Sequence, residues 1–338
     1  MKQVRWGILG PGTIAHAFAK GLQEADSGVL AAVASRNHEN AKSFGATYGV
    51  DEAACYEGYT ALCDDPDIDA IYVSTPHPFH KEHGLMALNG GKHLVLEKPA
   101  ALSPFDVSEI VDEAAKRGLF FMEAYMYLHH PQIREALRIL KDDGLGEVLH
   151  IRATFCFDAP YDATSRLFDP KLGGGGVYDV GGYTVSAARL FADPGSESFP
   201  VPASINASGL PTLSGVDAFA MAQLTFENSV TAELTCAVSR DLGQRVEVFC
   251  QNGMLILPTP WLPGNKAAPS DTVIEVICKG EARSHKVEAS KMLYAYEAEA
   301  ASRAIIDGKT GLSYPILSGA NSVEMAHILD DWRCQVLR

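Results

Sequence analysis

Val4-Arg5-Trp6-Gly7-Ile8-Leu9-Gly10-Pro11-Gly12-Thr13-Ile14-Ala15 is the stretch on which the fold turns. Val4–Leu9 is a largely apolar run that leads straight into glycines, which predicts a buried strand. Ile14, Phe18 and Leu22 then repeat at four-residue spacing, so a helix follows. Between them lies the pattern Gly-x-Gly-x-x-Ala. Gly10 permits a tight turn, and Gly12 lets the backbone approach a pyrophosphate. Thr13 and Ile14 open the helix on whose N-terminus that pyrophosphate would sit. Ala15 is small enough for the helix to pack close to the strand. A turn that merely needs glycine would use the same residues, but the strand–turn–helix context favours dinucleotide binding.

The pattern continues outward from this unit. Val29–Ala34, Ile71–Val73 and Leu94–Leu96 are short continuous apolar runs, the mark of strands buried on both faces of a parallel sheet. Helical patterns alternate with them at Asn37–Tyr48 and Lys81–Leu88. A further helix is capped by Ser103, begins at Pro104 and ends at Gly118. Leu119–Met122 reads as one more strand. This alternation predicts an α/β doubly wound sheet. After a helix at about Pro131–Lys141 the period changes to two. Leu149, Ile151, Ala153, Phe155 and Phe157 alternate with polar residues, and so do Val230–Val238, Val246–Cys250 and Val273–Cys278. Such strands make an antiparallel sheet with one face on a core. Asn252-Gly253 reads as a type I′ hairpin turn. Two helical patterns, at about Leu293–Asp307 and Gly319–Val336, close the chain. The expected division is residues 1–125 for the dinucleotide and 126–338 for substrate and oligomerisation, with the terminal helix able to pack back on the first domain.

The 338 residues suit two domains, and 47% hydrophobic with 21% charged residues is the balance of a globular chain. The formal net charge of −14 repels phosphate at long range, which argues against nucleic acid or an anionic membrane as partner. No run is long and apolar enough for a membrane helix, and Arg5 interrupts any signal core, so a cytoplasmic location is expected. Seven cysteines without a Cys-x-x-Cys pair read as reduced thiols, not as a disulfide framework or zinc ribbon.

Three further stretches carry chemistry. The second strand ends Ala34-Ser35-Arg36-Asn37, where a cofactor with a free ribose 2′-hydroxyl usually meets Asp or Glu. Ser35 and Arg36 instead suit a 2′-phosphate, which favours NADP while leaving NAD open; a solvated Arg at a strand end is the other reading. Glu97-Lys98-Pro99 places an ammonium at the C-terminal end of a buried strand, where open α/β sheets bind ligands, although Glu97 and Lys98 also read as a surface pair. In Gly173-Gly174-Gly175-Gly176-Val177-Tyr178-Asp179-Val180-Gly181-Gly182-Tyr183 the four glycines would let the backbone come close to a ligand, and a helical pattern follows. If Val177–Leu190 is a helix, Asp179 and Tyr183 share a face, and with a lysine they supply the parts of a proton relay. The alternative is a capped helix with an exposed Asp. His77, His80 and His83 are spaced like metal ligands, but Pro76 and Pro78 bracket His77 and no fourth ligand is evident, so no metal is expected.

Together, the Gly10-x-Gly12 turn, Glu97-Lys98-Pro99, Met122-Glu123-Ala124-Tyr125-Met126, Tyr178-Asp179-x-Gly181-x-Tyr183 and the tail from Tyr296-Glu297 through Met325 and Trp332 resemble the Gfo/Idh/MocA oxidoreductases over nearly the whole chain. The resemblance is strongest to the branch of dihydrodiol and NADP-linked xylose dehydrogenases. It implies an N-terminal Rossmann domain, a C-terminal α+β domain with a large, mostly antiparallel open sheet, and NAD(P)-linked hydride transfer on a sugar, polyol or diol. It places Thr75, Pro76, His77, His80, Glu97 and Lys98 along the cofactor cleft and implies a cis Lys98–Pro99 bond. Tyr183 stands where inositol-dehydrogenase-like members carry His, which moves the proton carrier to a phenol. On this reading Lys98, Asp179 and Tyr183 are catalytic. Arg166, Phe168 and Trp261 are candidates for the pocket wall, the aromatics stacking on a sugar ring. Rival readings are a non-catalytic NADP-binding redox regulator and an NAD-using lyase or hydrolase. A homodimer or higher homo-oligomer is expected, because Phe219 and Met221 sit opposite Ala218, Ala220, Ala222 and Leu224, and a sheet apolar on both faces needs two covers.

Overall fold

The computed structural model describes residues 2–266 and 268–338. They group into two compact units. The first gathers the chain up to His129, a short piece beginning at Gly264, and Lys291–Val323; the second gathers His130–Pro263, Ser270–Ser290 and Glu324–Arg338.

The first unit alternates β1 (Val4–Leu9), α1 (Thr13–Glu24), β2 (Gly28–Ser35), α2 (His38–Tyr48), β3 (Cys55–Glu57), α3 (Thr60–Asp64), β4 (Ala70–Val73), α4 (His80–Asn89), β5 (His93–Glu97), α5 (Pro104–Arg117) and β6 (Phe121–Ala124). The strands pair in parallel in the order β3-β2-β1-β4-β5-β6. The order reverses between β1 and β4, which fixes the ligand edge of a doubly wound sheet. β4 and β6 are buried at every residue; β4 is an unbroken apolar run, as a strand covered on both faces favours, and β6 is apolar except for Glu123.

Ser103 caps α5 by accepting from the Asp106 amide at 3.2 Å, and Gly118 closes it in the left-handed region. The Leu119 amide bonds to the Ala114 carbonyl at 2.9 Å, so this residue belongs to the helix cap. The sixth strand therefore begins two residues later than its apolar run suggests.

The second unit holds α6 (Pro131–Asp142), β7 (Val148–Cys156), α7 (Gly182–Ala192), β8 (Ser204–Pro211), β9 (Asp217–Thr225), β10 (Thr231–Ala237), β11 (Gln244–Cys250), β12 (Gly253–Leu257), β13 (Thr272–Cys278) and β14 (Glu281–Val287). They form an eight-stranded sheet, β14-β13-β12-β11-β7-β10-β9-β8, antiparallel throughout except for β7 beside β10. Ile151, Ala153, Ala220, Leu234, Val248 and Val276 are buried on one face. The other face carries a charged ladder: Arg152 pairs with Glu233 at 3.5 Å and Glu247 at 3.2 Å, and Arg245 pairs with Glu247 at 3.1 Å.

The Asn252-Gly253 turn is corrected by the register. Cys250 pairs with Gly253, so the two linking residues are Gln251 and Asn252. Gly253 lies in β12, where a Cβ would overlap the Ile277 carbonyl oxygen and stand 2.8 Å from its carbon. The glycine serves the close approach of β13, not a turn.

The chain ends with α8 (Leu293–Ile306) and α9 (Gly319–Val336). α8 packs on α1, and a Cβ on Gly21 would stand 2.6 Å from the Tyr294 carbonyl carbon. The buried Trp6 indole donates to Ser302 of the same helix at 2.9 Å.

Candidate active site

In the first unit, α1 begins without any side-chain cap, its first turn holds no acidic residue, and Gly12 has open space where a Cβ would stand. Gly10 adopts φ 85° against Thr75, and its carbonyl accepts from the Ser74 hydroxyl at 2.9 Å. Helix amides with no side-chain cap, a glycine turn and a first helical turn free of acidic residues fit a pyrophosphate. Ser35, buried at the end of β2, accepts from the Asn37 amide at 3.3 Å. Arg36 is exposed and, among the described residues, makes no ion pair. A guanidinium left in this position, with no acid beside it, fits a 2′-phosphate.

Thr75, Pro76 and His77 follow β4, and Glu97 ends β5 with Lys98 just after it, on the next strand along the same carboxyl edge. The turn at Lys98 is tightly held. Its peptide bond to Pro99 is cis, as the family resemblance implies. The Lys98 amide donates to the Glu97 carboxylate at 3.2 Å, and the buried Tyr72 hydroxyl donates to the same carboxylate. His80 is fully buried with Nδ1 2.8 Å from the Pro99 carbonyl and Nε2 2.7 Å from the Thr75 carbonyl. It therefore braces the ends of β4 and β5 against each other. Burial holds its pKa down to about 4, against the two carbonyls, which favour the cation. His83 meets the Thr75 hydroxyl at 2.9 Å. His80 and His83 thus make separate contacts along the carboxyl edge, and the His77 ring lies edge-on to His80 with centroids 5.6 Å apart.

Two buried carboxyls lie in this region that sequence reasoning did not assign. Glu123 in β6 accepts from the Ala100 amide at 2.9 Å, and burial pushes its pKa up to about 7. Glu297 in α8 is fully buried and its pKa is raised well above the ordinary range, first by burial and then by Glu97. The signal for Glu123 was a lone acid inside an otherwise apolar strand.

In the second unit, Val177–Gly181 is a π-helical turn that runs into α7. Such turns occur often at functional sites. Asp179 and Tyr183 straddle the junction of the two and are both buried. The Asp179 carboxylate accepts from Arg166 at 2.9 Å, and Arg166 is itself 58% exposed. An exposed Asp at this position is therefore excluded. The Tyr183 ring lies edge-on to Phe155 and Trp261, with centroids 5.2 and 5.9 Å away. Trp261 stacks on Phe155 and donates from its indole to the Thr154 carbonyl at 2.9 Å. Phe168 is buried in a cluster with Val216 and Val238.

A parallel sheet with a glycine turn and an uncapped helix at its switch point, and a lysine two strands along the same edge, define a nicotinamide-dinucleotide oxidoreductase. The chain belongs to the Gfo/Idh/MocA family: residues 4–125 match the oxidoreductase family with an NAD-binding Rossmann fold, and residues 133–256 match the family's C-terminal domain. It is 30% identical over 336 residues to a trans-1,2-dihydrobenzene-1,2-diol dehydrogenase of Danio rerio, covering 98% of this chain and 97% of that one. The enzyme of the same name from Bos taurus is 32% identical over 281 residues, covering 82% and 78%. Among solved structures, KijD10, a 3-ketoreductase from Actinomadura kijaniata in complex with NADP and TDP-benzene, is similar with a TM-score of 0.86 and 27% identity over 99% of this chain and 98% of that one. No described helix is long and apolar enough to cross a membrane.

Proposed function

We propose that this oxidoreductase transfers a hydride between NADP(H) and a sugar, polyol or diol at a carbinol or carbonyl carbon, with NAD as the poorer cofactor. The observation that carries the reading is the shared carboxyl edge of β1, β4 and β5, where the Gly10–Gly12 turn, Thr75 and Lys98 follow neighbouring parallel strands. The diol dehydrogenases and the ketoreductase that resemble the chain along its length support the substrate class. We assign cofactor binding to residues 1–125, and substrate binding and self-association to 126–338.

The nicotinamide, when bound, gives or takes the hydride. Gly10, Gly12, Thr13 and Ile14 hold the pyrophosphate through backbone amides, and Ser35 and Arg36 hold the 2′-phosphate. Thr75, Pro76, His77, His80 and Glu97 shape the rest of the cleft. Tyr183 exchanges the substrate hydroxyl proton at its phenolic oxygen. The Lys98 ammonium favours the phenolate and the developing negative charge on the reacting oxygen. Asp179, neutralised by Arg166, orients the substrate hydroxyls. Arg166 and Trp261 contribute to the pocket wall, and Phe168 anchors the loop that presents Arg166.

A panel of aldoses, polyols and diols, assayed by nicotinamide absorbance with both cofactors, tests the activity. The absence of turnover with every member would favour a redox regulator. Tyr183→Phe and Lys98→Met should each lower kcat by about 10²–10⁴-fold, the range for losing positioned acid–base help. The double variant should lose far less than the product of the two. A Tyr183→Phe enzyme with near-normal kcat overturns the proton assignment.

We also propose self-association through the uncovered sheet face, where Met221 is 39% and Val273 43% exposed beside the Arg152 ladder. Light scattering should give a dimer or larger at micromolar concentration. A monomer rejects this arrangement.

A further inference from the structure

We propose that Asp217 is a positioning residue, a buried carboxylate that clamps the glycine turn and first helical turn from which Asp179 and Tyr183 project. Its bearing on catalysis rests on the function proposed above; the clamp itself rests on geometry within the second unit.

Asp217 opens β9 and has no exposed surface. A carboxylate taken wholly out of water must find hydrogen bonds or opposite charge. Its Oδ2 accepts from the Val177 amide at 2.6 Å. Val177 is the first residue of the π-helical turn, so the carboxylate acts as the cap that a side chain closer in sequence would ordinarily supply. It also sets a negative charge at the positive end of the helix. Its Oδ1 stands 3.5 Å from Arg333 Nε, an ion pair at longer range, and the Arg333 guanidinium lies over the Tyr178 ring at 5.0 Å. Burial pushes the Asp217 pKa up to about 6, while the Val177 and Gly176 amides and Arg333 pull it down.

The glycine run is shaped to admit this group. Gly175 has φ +122°, and a Cβ there would overlap Asp217 Oδ1 and stand 2.8 Å from its Cγ. Gly174 is pressed against the Leu167 carbonyl, and the Gly174 and Gly175 amides bond back to Asp169 and Leu167 at 3.0 and 2.9 Å. The Asp179 amide then bonds to the Gly175 carbonyl at 3.1 Å. One carboxylate therefore fixes the point where the Arg166 loop ends and the helix begins. Asp217 touches backbone and Arg333, so it acts through Asp179 and Tyr183.

The test is Asp217→Ala, which removes both acceptor oxygens and the charge. Hydrogen–deuterium exchange of the full-length protein should show the Gly176 and Val177 amides opening about tenfold faster, the scale of a lost cap, with the central amides of β9 unchanged. On the best substrate of the panel, kcat should fall about tenfold through misplacement of the reacting groups, with KM for NADP unchanged. Gly175→Ala, which displaces the carboxylate without altering it, should reproduce both effects. Wild-type exchange at Val177 in both variants, or acceleration spread evenly over β9 and the helix, would overturn the clamp. So would faster exchange at Val177 with an unchanged kcat, which would leave Asp217 merely structural. Faster exchange confined to Gly176 and Val177 in a protein that turns over no sugar or diol would keep the clamp and defeat the functional reading instead.

Discussion

Replacing Arg36 by Ala isolates the cofactor choice, because the structure gives this side chain no other task. It is exposed, follows β2 and makes no ion pair among the described residues, so the fold should not notice its loss. A hydrogen bond to a charged group contributes about 1.5–3 kcal/mol, which corresponds to a rise of roughly 10- to 100-fold in KM for NADP. KM for NAD should change by less than about twofold, since a free 2′-hydroxyl gains little from a guanidinium. The effect is electrostatic at an exposed site, so added salt should weaken NADP binding in the wild type and spare the variant. The chain's net charge of −14 makes the comparison sharper, because the surrounding field opposes a phosphate wherever no local cation compensates. Initial rates at saturating substrate, with each cofactor varied in turn, read both constants. Arg36→Asp should go further and reverse the preference, repelling the phosphate and accepting from the ribose hydroxyl. Equal losses with both cofactors would place Arg36 in the general architecture of the cleft, and the NADP preference would fall with it.

Glu123 links stability to pH. Its folded pKa is raised to about 7 by burial, so its contribution is fully present below the ordinary carboxyl value and is lost as pH rises through 7. Urea unfolding should show Glu123→Gln gaining on the wild type between about pH 4.5 and 7, by a total on the order of 3 kcal/mol; a constant difference across that window would refute the assignment. Gly21→Ala should destabilise the first unit by about 1–3 kcal/mol or more, since the added Cβ meets the α8 backbone and not a movable side chain. An unchanged urea midpoint would show that the α1–α8 contact is looser than the structure has it.

The features legible in the sequence share a physical cause: they are local. β1, the glycine turn and α1 lie within consecutive residues, and strands buried on both faces read as near-continuous apolar runs. The Ser103 and Gly118 caps are decided by a residue's own conformation and its near neighbours. β8 and β14 escaped notice because Ser204–Pro211 and Glu281–Val287 are edge strands, with no buried residue in β8 and only Val287 buried in β14, so large apolar residues are too few to mark them. Gly253 misled because a glycine has two uses, left-handed backbone and close approach, and only the pairing of β12 with β13 distinguishes them.

The site divides along the same line. Gly10, Gly12, Arg36, Lys98, Asp179 and Tyr183, the residues proposed for the site, each stand in a recognisable local setting. The residues that hold them do not. His80 reaches carbonyls five and nineteen residues away, and Asp217 reaches an amide forty residues upstream. Their partners are backbone atoms, which every residue possesses, so no pairing of residue types announces them. The four glycines at 173–176 show the asymmetry within a single motif. Read alone, they suggest space for a ligand to approach. In the folded chain at least one of them, Gly175, makes space for Asp217. A glycine-rich stretch before a helix therefore signals a close approach without saying what approaches, and at Gly175 the occupant is the protein's own carboxylate.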